Sequence, residues 1–557
     1  MGRVLNPVGS NSFVDLVTFR EEDVFVDKTD FIAKMSASIN KNKRMFALTR
    51  PRRFGKTVTA HMLLAYYSKA YAGKNIFDTL KISGSEYKDI YEKHLNKYDV
   101  IYIDMNSIRD RYNDYLGDED LQVKGVSTLV DFLKYAIIKE LKEKDDYACL
   151  LHNSKTIGKK SLQQALQAIC EYTGERFILI MDEWDLVYRE YRNDTQLQKD
   201  FIDLLRSLFK SDDGLACFAL AYLTGILPIK KYNSQSALNG VKEYNMLRPV
   251  PYEEYFGFTE KDIAEIVRSP KCQLSRQELK EWYEGYKLNG KDIYNPNSVV
   301  SAVDDGICQS YWSGTSSNEE VARLINMDFD DVKKDILNLI EGAKVEFDSS
   351  NFQNDMVTIE DKNDVISLLV CLGYLGCSDI KGEKDLKLAY VPNHEIRRAL
   401  TGIIRRQEWY ERMDTIRRSE NLLNAILDLD GTTAAALIQE VHNSPAVALL
   451  DYNDEESLTY CVMTGLLWST LGKYVSHRED QTGKGRADLV YEPAIKGTNP
   501  LILIEFKYND SAEDAIRQIK EKEYFKRYVG QYRNIILVGI NYSARTKDHQ
   551  CLIEKFE

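Results

Sequence analysis

The sequence is poor in the residue patterns that build metal knuckles and disulfide frameworks. Nine cysteines are spread singly through 557 residues with no C-x-x-C pair, and the seven histidines form no H-E-x-x-H motif and no Cys/His cluster. We therefore expect reduced, partly buried cysteines and no dedicated transition-metal site.

Long apolar runs and an excess of positive charge are also missing. No stretch of about 18 uncharged apolar residues suggests a membrane span, and no apolar core near the N-terminus suggests a secretory signal, so we expect a cytoplasmic protein without a membrane partner. The 74 Lys and Arg residues against 86 Asp and Glu give a net charge of −12. A chain without a global positive field must contact DNA or RNA through local basic patches.

The length and composition predict several packed domains. A chain of 557 residues is too long for one hydrophobic core, and 44% hydrophobic with 29% charged residues is typical of a soluble folded protein. We find no fixed-period repeat, low-complexity tract or Gly/Ser linker. The predicted domains are residues 1–255, 256–345, 346–445 and 446–557.

The first half of the chain has the pattern of an α/β fold. Continuous apolar runs predict strands at 45–49, 100–104, 177–181 and 217–223. Strands of this kind are covered on both faces, which favours a parallel sheet with helices on both sides. From about 259 to 344 the pattern becomes helical and predicts a helical lid.

The second half alternates differently. Residues 365–375 and 388–392 predict a helix and a short strand, a sequence shape that winged-helix modules share. After Asp451 the order is α-β-β-α-β, which makes a complete small domain. Its elements are a helix at 455–471, strands at 487–491 and 501–505, a helix at 512–528 and a strand at 534–539.

The octet Arg50-Pro-Arg-Arg-Phe-Gly-Lys-Thr57 lies between a buried strand and an amphipathic helix. Its last three residues fit a P-loop, in which backbone N–H groups bind phosphate oxygens, Lys56 neutralises the β- and γ-phosphates and Thr57 ligates Mg²⁺. Arg50 stands where a P-loop has its first glycine, so a basic strand-to-helix turn is the open alternative. The predicted ATP-binding residues of this loop are Arg53, Phe54, Gly55, Lys56 and Thr57.

Two carboxylates follow the apolar run at 177–181. In a Walker B strand Asp182 would hold the Mg²⁺ shell and Glu183 would polarise the attacking water. Thr224 ends the next apolar run, from where a hydroxyl can reach the γ-phosphate or the water. The alternatives are an acidic turn after a core strand and an ordinary strand-terminating turn.

These residues carry a resemblance to a known family. The motifs are Phe25-Val-Asp-Lys-Thr29, the loop at 49–57, Asp182-Glu183, Thr224-Gly225, Tyr255-Phe-Gly-Phe-Thr259, Trp282-Tyr-Glu-Gly-Tyr286, Tyr294-Asn-Pro296 and Tyr311-Trp-Ser-Gly-Thr-Ser-Ser317. Together they resemble the AAA-ATPase-like family of bacterial proteins over roughly residues 5–320. The resemblance implies an ASCE-type P-loop fold that uses ATP and Mg²⁺, with Phe25 and Val26 near the adenine.

A second acidic cluster stands near the C-terminus. Asp488 precedes Glu505 by seventeen positions, and Lys507 follows two residues later. On one strand Glu505 and Lys507 share a face, because side chains alternate with period two. If Asp488 lies on the neighbouring hairpin strand, two carboxylates and a lysine converge. Carboxylates suit Mg²⁺, and a lysine beside them can orient water for attack on a phosphodiester.

This cluster, with Glu456 and Gln518 on flanking helices, resembles the PD-(D/E)XK nuclease superfamily over about residues 450–545. The resemblance implies a small restriction-endonuclease-like α/β domain in which Asp488, Glu505 and Lys507 cleave DNA, or less often RNA, with Mg²⁺. Glu456 would complete the metal shell. An incidental surface Glu/Lys pair and a nuclease fold without cleavage are the alternatives.

We therefore expect an ATP-regulated DNA endonuclease, with a nucleotide-dependent binding switch that does not cleave as the alternative. Five basic residues on or beyond the last helix would contact phosphates, or would form a solvated helix face; they are Lys520, Lys522, Lys526, Arg527 and Arg533. Assembly into a homo-oligomeric AAA-like ring stays open, since no arginine finger can be chosen from the sequence.

Overall fold

The computed structural model divides the chain into two compact units. Unit 1 comprises Met1–Leu339 and Lys344–Arg397, and unit 2 comprises Ile340–Ala343 and Arg398–Glu557. The predicted domain boundaries stay predictions. The residues described are 3–118, 123, 125–152, 161–229, 231–232, 235–236, 238, 240–312, 315–327, 332–340, 342–350, 352, 359, 361–383, 385–406, 413–443, 455–471, 473–482, 485–495 and 497–556.

The strands of unit 1 are β1 (Met45–Thr49), β2 (Val100–Asp104), β3 (Phe177–Asp182), β4 (Phe218–Gly225), β5 (Lys231–Tyr232), β6 (Gln235–Ser236), β7 (Lys242–Tyr244), β8 (Phe258–Thr259), β9 (Tyr286–Leu288), β10 (Lys291–Tyr294), β11 (Val345–Asp348), β12 (Gly376–Asp379) and β13 (Leu386–Tyr390). The helices that begin in this unit are α1 (Ser12–Thr18), α2 (Asp30–Ser36), α3 (Lys56–Tyr67), α4 (Lys88–His94), α5 (Met105–Gly117), α6 (Leu129–Glu143), α7 (Asp145–His152), α8 (Leu162–Thr173), α9 (Leu186–Glu190), α10 (Thr195–Phe209), α11 (Asp212–Ala216), α12 (Glu260–Arg268), α13 (Arg276–Tyr283), α14 (Pro296–Asp305), α15 (Thr315–Asn326), α16 (Val332–Ile340), α17 (Lys362–Leu372) and α18 (His394–Arg406).

A parallel sheet in the order β2-β3-β4-β1-β7 organises the first part of unit 1. Alternate residues such as Ile178 and Ile180 share one hydrophobic core with Leu63 of α3. Every residue of β1, β3 and β4 is buried, so the second face is covered as well. Burial on both faces explains the continuous apolar runs of these strands. The α/β prediction is confirmed, and β1 and β2 have the predicted bounds.

The segment after β7 is only partly helical. Helices α12–α16 follow one another as expected, but a three-stranded antiparallel sheet in the order β8-β10-β9 is inserted among them. Further on, α17 is followed by β12 and β13, and β11 completes a second antiparallel sheet. The predicted helix and strand of the middle segment are therefore present, while the winged-helix assignment itself stays a prediction.

Unit 2 packs helices on a mixed sheet. Its elements are α19 (Met413–Leu427), α20 (Gly431–His442), α21 (Glu455–Thr470), β14 (Tyr474–Thr482), β15 (Gly485–Pro493), β16 (Leu501–Tyr508), α22 (Ala512–Glu521), a 3₁₀ turn at Tyr524–Arg527, β17 (Ile535–Ser543) and β18 (Asp548–Phe556). The strand order is β14-β15-β16-β17-β18, and only the β16–β17 pair is parallel. Ile502 and Ile504 face the core shared with α19–α21, whereas Leu501 and Leu503 face α22.

The sequence prediction for this domain was incomplete at its edges. Strands β14 and β18 were not predicted, and the helix predicted at 512–528 ends at Glu521 because Glu523 has a left-handed backbone, with φ 54°. Within the described ranges, none of the helices combines the length and apolar character that a membrane crossing requires.

Candidate functional sites

The predicted P-loop connects β1 to α3. Left-handed backbone occurs in it at Arg53 (φ 70°) and Gly55 (φ 78°), and Gly55 directly precedes the first residue of α3. Glycine adopts this conformation without steric cost, which explains its place before Lys56. Arg50 has no positive φ, so the backbone at that position does not require a glycine.

Arg50 is a structural residue. Its side chain is fully buried. One guanidinium nitrogen, Nη1, donates to the carbonyl of Thr49 at 2.8 Å and to that of Tyr244 at 3.3 Å, and the guanidinium lies 5.2 Å from the ring centre of Phe256. Burial lowers its pKa to about 10, although Tyr222 and Glu253 act against that shift. Arg50 therefore joins the start of the loop to β7 and the chain that follows.

Lys56, Thr57 and Asp182 meet below the loop. The Thr57 hydroxyl donates to Oδ2 of Asp182 at 2.7 Å, and Lys56 Nζ donates to the Pro51 carbonyl at 2.9 Å. Burial lowers the pKa of Lys56, while Glu183 and Asp182 oppose the shift. Burial, helped by Glu183, raises the pKa of Asp182 to about 7. The structure thus brings together the predicted phosphate-binding lysine, the Mg²⁺-binding hydroxyl and the Walker B aspartate.

Glu183 is held by an arginine that sequence reasoning missed. Arg189 Nη2 donates to Glu183 Oε2, and Arg189 Nε donates to Oδ2 of Asp185 at 3.0 Å. The same Asp185 oxygen accepts backbone N–H groups from Ile226 and Leu227, just beyond β4. The i, i+4 spacing of Asp185, the residue before α9, and Arg189 within that helix is a signal that could have shown this pair.

Thr224 lies within the sheet. Its hydroxyl is buried and donates to the Leu48 carbonyl at 2.9 Å, and its own carbonyl accepts the N–H of Trp184. In this arrangement the hydroxyl joins β4 to β1. Its predicted contact with the γ-phosphate stays a prediction.

A cleft of about 810 Å³ opens in front of the P-loop. The loop residues Arg53–Thr57, Glu183 and Arg189 line one part, and Phe25 and Val26 line another. Helix α14 contributes a further wall. The volume falls in the usual range of small-molecule sites, and the P-loop, the acidic residues and the apolar wall share one cavity.

Arg53 links the P-loop to a buried glutamate. Its Nη1 donates to the Tyr311 carbonyl. The Tyr311 N–H donates to Glu395 Oε1 at 2.7 Å, and Ser298 Oγ donates to Oε2 at 2.8 Å. Burial raises the pKa of Glu395 to about 7, against the opposing effect of these hydrogen bonds and of Arg53. This chain of contacts runs from the loop to the start of α18.

In unit 2, Asp488, Glu505 and Lys507 converge as predicted. Leu489 pairs with Ile504 across β15 and β16, and continuing this antiparallel register by one residue sets Asp488 opposite Glu505. Asp488 Oδ2 accepts the N–H of Phe506 at 2.8 Å. Lys507 Nζ lies 3.6 Å from Glu505 Oε1, and the lysine side chain is only 13% exposed. The amine therefore faces the carboxylates and not bulk water.

Glu505 is almost completely buried. Its side chain is 1% exposed. Gln518 on α22 donates from Nε2 to Glu505 Oε1 and lies 3.1 Å from the Tyr524 hydroxyl. Burial, together with the charge of Asp488, raises the pKa of Glu505 to about 8. Among the described residues, Oε2 of Glu505 has no hydrogen-bond partner. A buried oxygen without a protein donor fits the coordination of a hard cation such as Mg²⁺.

A glutamate that the sequence analysis did not single out lies beside Lys507. Glu455 Oε1 lies 3.3 Å from Lys507 Nζ. Burial opposes the charge of Lys507, but Glu455 and Glu505 together raise its pKa. Glu456 lies on the same helix, α21, and its side chain is outside the described part of the structure. In the described ranges no group of three or more His, Cys, Asp or Glu side chains is arranged as a metal site.

The predicted basic patch is partly neutralised. Lys520 pairs with Glu554, and Lys526 pairs with Glu523 at 3.1 Å. Lys522 and Arg533 are exposed. Exposed ion pairs of this kind are weak, so a polyanion can compete for these amines, and the phosphate-contact prediction stays open.

Two family models match separate parts of the chain. Residues 7–233 match the family model described as "Predicted AAA-ATPase", and residues 454–550 match the one described as "PD-(D/E)XK nuclease superfamily". The "Uncharacterized protein in vnfD 5'region" of Azotobacter chroococcum mcd 1 is 24% identical over 571 residues, with 98% of each chain covered. The ORC2 protein of Aeropyrum pernix, solved as ADPNP–ADP complexes, is 11% identical with a TM-score of 0.28, covering 68% of this chain and 91% of that one.

The two family models agree with the two resemblances that the motifs indicated. The AAA-ATPase-like match contains the P-loop, Asp182 and Thr224, and the nuclease-superfamily match contains Asp488, Glu505 and Lys507. The chain therefore combines an AAA-ATPase-like domain at its N-terminus with a PD-(D/E)XK nuclease superfamily domain at its C-terminus.

Proposed function

We propose that the chain is an ATP-regulated, Mg²⁺-dependent DNA endonuclease. The observation that carries the nuclease half is the convergence of Asp488, Glu505 and Lys507 on one face of the sheet. Bound Mg²⁺ would supply the Lewis acid that such sites use in phosphodiester hydrolysis. Asp488 and Glu505 would hold the ion, and Lys507 would orient the attacking water. Gln518 keeps Glu505 in place through its hydrogen bond to Oε1.

The ATPase half of the proposal rests on the cleft in unit 1. The loop N–H groups and Lys56 would bind the phosphates, with Arg53 and Phe54 beside them, and Thr57 and Asp182 would hold the Mg²⁺ that accompanies ATP. In hydrolysis the water oxygen bonds to the γ-phosphorus, and the bond to the β–γ bridging oxygen breaks. ADP leaves with that electron pair, and Glu183 would receive the proton of the water.

The test is Mg²⁺-dependent cleavage of plasmid DNA, single-stranded DNA and RNA, with and without ATP. We expect the wild type to cut DNA in preference to RNA, and Glu505→Ala and Lys507→Ala to lose cleavage while retaining ATP hydrolysis. Lys56→Ala should lose the ATP response while the nuclease site stays intact. Equal cleavage by the wild type and both nuclease-site variants would refute the nuclease assignment.

One observation favours a second function, a nucleotide-dependent switch that binds nucleic acid or a protein without cutting. In the described ranges, Asp488 and Glu505 are not joined by a third His, Cys, Asp or Glu side chain in an arrangement that could hold a metal ion. Isothermal titration with ATP, repeated with Lys56→Ala, separates the two functions. Tight ATP binding together with DNA binding but no cleavage would support the switch. Sedimentation of the full chain with and without ATP would show whether it assembles into a homo-oligomer.

A further inference from the structure

The contacts of Arg189 point to a role beyond the P-loop and Walker B residues. Its side chain is 8% exposed and lines the same cleft as Lys56 and Glu183. A guanidinium with little exposure is expensive to bury unless it is paired. Here both partners are carboxylates of the segment that follows β3, namely Glu183 and Asp185.

The two partners hold the guanidinium in different ways. Asp185 is completely buried, and its Oδ2 also accepts N–H groups from Ile226 at 3.2 Å and Leu227 at 2.9 Å. An added Cβ on Gly225 would lie 2.4 Å from Asp185 Oδ1, so the end of β4 packs directly on this carboxylate. Asp185 is therefore a fixed anchor for Arg189 Nε. Glu183 is 17% exposed and faces the cleft, so it is the partner that can be exchanged.

We propose that Arg189 is a phosphate-binding arginine supplied in cis, which moves its Nη2 donor from Glu183 to the γ-phosphate when ATP binds. Nε stays on Asp185 during this exchange, so the guanidinium needs to rotate about one retained hydrogen bond. Three negatively charged γ-phosphate oxygens compete well with one carboxylate for a fork of N–H donors. This inference rests on the proposed ATPase function and adds a residue to it.

The exchange would make hydrolysis depend on ATP and not ADP being bound. While Arg189 donates to Glu183 Oε2, this carboxylate is not available to accept a proton from water. Once the guanidinium has moved, Glu183 is released to accept the proton of the attacking water, and the guanidinium stabilises the charge that develops on the γ-phosphoryl oxygens. ADP lacks that group and leaves the pair closed. An arginine in cis also completes the site within one chain, so hydrolysis would not require a neighbouring subunit.

The test compares Arg189→Gln with the wild type in the full-length protein. The β,γ-imido analogue of ATP and ADP are titrated by calorimetry, and ATP turnover is measured under saturating conditions. We expect kcat to fall about 10³-fold or more, the magnitude of a lost arginine finger. ADP affinity should stay within about threefold, and the analogue should lose most of its advantage over ADP. Arg206→Gln, on the exposed surface of α10, is the matched control.

The deciding quantity is the ratio of the affinity for the imido analogue to the affinity for ADP. A smaller ratio in Arg189→Gln than in the wild type supports the proposed role of Arg189. An unchanged ratio overturns that role and leaves Arg189 purely structural. Faster turnover also overturns it, since Arg189 would then only restrain Glu183. If Arg189→Gln does not fold because Asp185 is left unpaired, the double variant Asp185→Asn/Arg189→Gln removes that buried charge. The same ratio of analogue affinity to ADP affinity is then measured for the double variant. Absence of ATP binding or hydrolysis in the wild type would instead refute the proposed ATPase function itself.

Discussion

Replacing Lys507 by methionine tests the nuclease site most directly. Methionine keeps an unbranched apolar stem of similar length and removes only the charge and its donors. In the structure the ammonium donates to the Phe506 carbonyl at 2.9 Å and lies 3.3 Å from Glu455 and 3.6 Å from Glu505. The variant therefore deletes the one described cation in contact with Glu505.

The expected magnitude follows from these distances. With an effective dielectric constant of about 20, an ionised Glu505, whose Oε1 is 3.6 Å from the ammonium, would attract it by about 4–5 kcal/mol. The contribution of Glu455 is much smaller, because its side chain is 48% exposed and its pairing is screened by water. A single electrostatic donor in a buried site is worth about 2.7–4 kcal/mol in the transition state. We therefore expect single-turnover cleavage by Lys507→Met to fall by about 10²- to 10³-fold.

The assay is single-turnover cleavage of a labelled DNA duplex with Mg²⁺, with Mn²⁺ binding measured in parallel by calorimetry. Metal affinity should change little, since Asp488 and Glu505 remain. Lys473→Met removes an exposed lysine of the same domain that lies outside the predicted basic patch, and this variant should cleave at the wild-type rate. Cleavage by Lys507→Met at more than about a tenth of the wild-type rate would contradict the role of the lysine.

Three further outcomes follow from the contacts. Burial raises the pKa of Glu395 from 4.5 to about 7, so its contribution to stability is full below pH 4.5 and is lost as the pH rises through about 7. In urea denaturation, Glu395→Gln should weaken the pH dependence of the unfolding free energy by up to about 3 kcal/mol. Identical pH profiles for the variant and the wild type would refute the raised pKa of Glu395. Gly225→Ala should cost about 1–3 kcal/mol of unfolding free energy, because the new Cβ would lie 2.4 Å from Asp185 Oδ1; an unchanged denaturation midpoint would show that the strand end can shift. Glu455→Gln should slow DNA cleavage by up to about fivefold, because an exposed ion pair is worth at most about 1 kcal/mol; a larger loss in Glu456→Gln would support the predicted place of Glu456 in the metal shell.

The strands buried on both faces could be predicted from sequence, including β2 at the edge of the unit 1 sheet, but the outer strands of the unit 2 sheet could not. β1 and β2 are buried on both faces, so their sequences are unbroken apolar runs. β14 and β18 are the outer strands of the unit 2 sheet and carry many polar residues. An edge strand with a solvated face has no distinctive apolar run. The end of α22 could not be predicted because the residue with a left-handed backbone is Glu523, so no glycine marks the end of the helix in the sequence.

The candidate sites were predictable where a motif fixes the spacing. Asp488, Glu505 and Lys507 were found because period-two alternation sets two of them on one face and a hairpin supplies the third. Glu455 was not singled out because it is adjacent to Glu456 and carries the same side chain, and the role of Glu456 in the metal shell stays a prediction. Arg189 was missed because its pairing with Glu183 depends on the turn between β3 and α9.

Each of the two candidate sites pairs a glutamate with a nearby cation. Glu183 is held by Arg189, and Glu505 is held beside Lys507, each within its own domain. An unpaired acid in such a position would be costly, so each cation stabilises its site before substrate arrives. A phosphate group presents the same negative charge to the same cation, and it can therefore compete with the carboxylate for it. Under the proposed functions, the γ-phosphate of ATP would compete with Glu183 for Arg189, and a nucleic-acid phosphate would compete with Glu505 for Lys507.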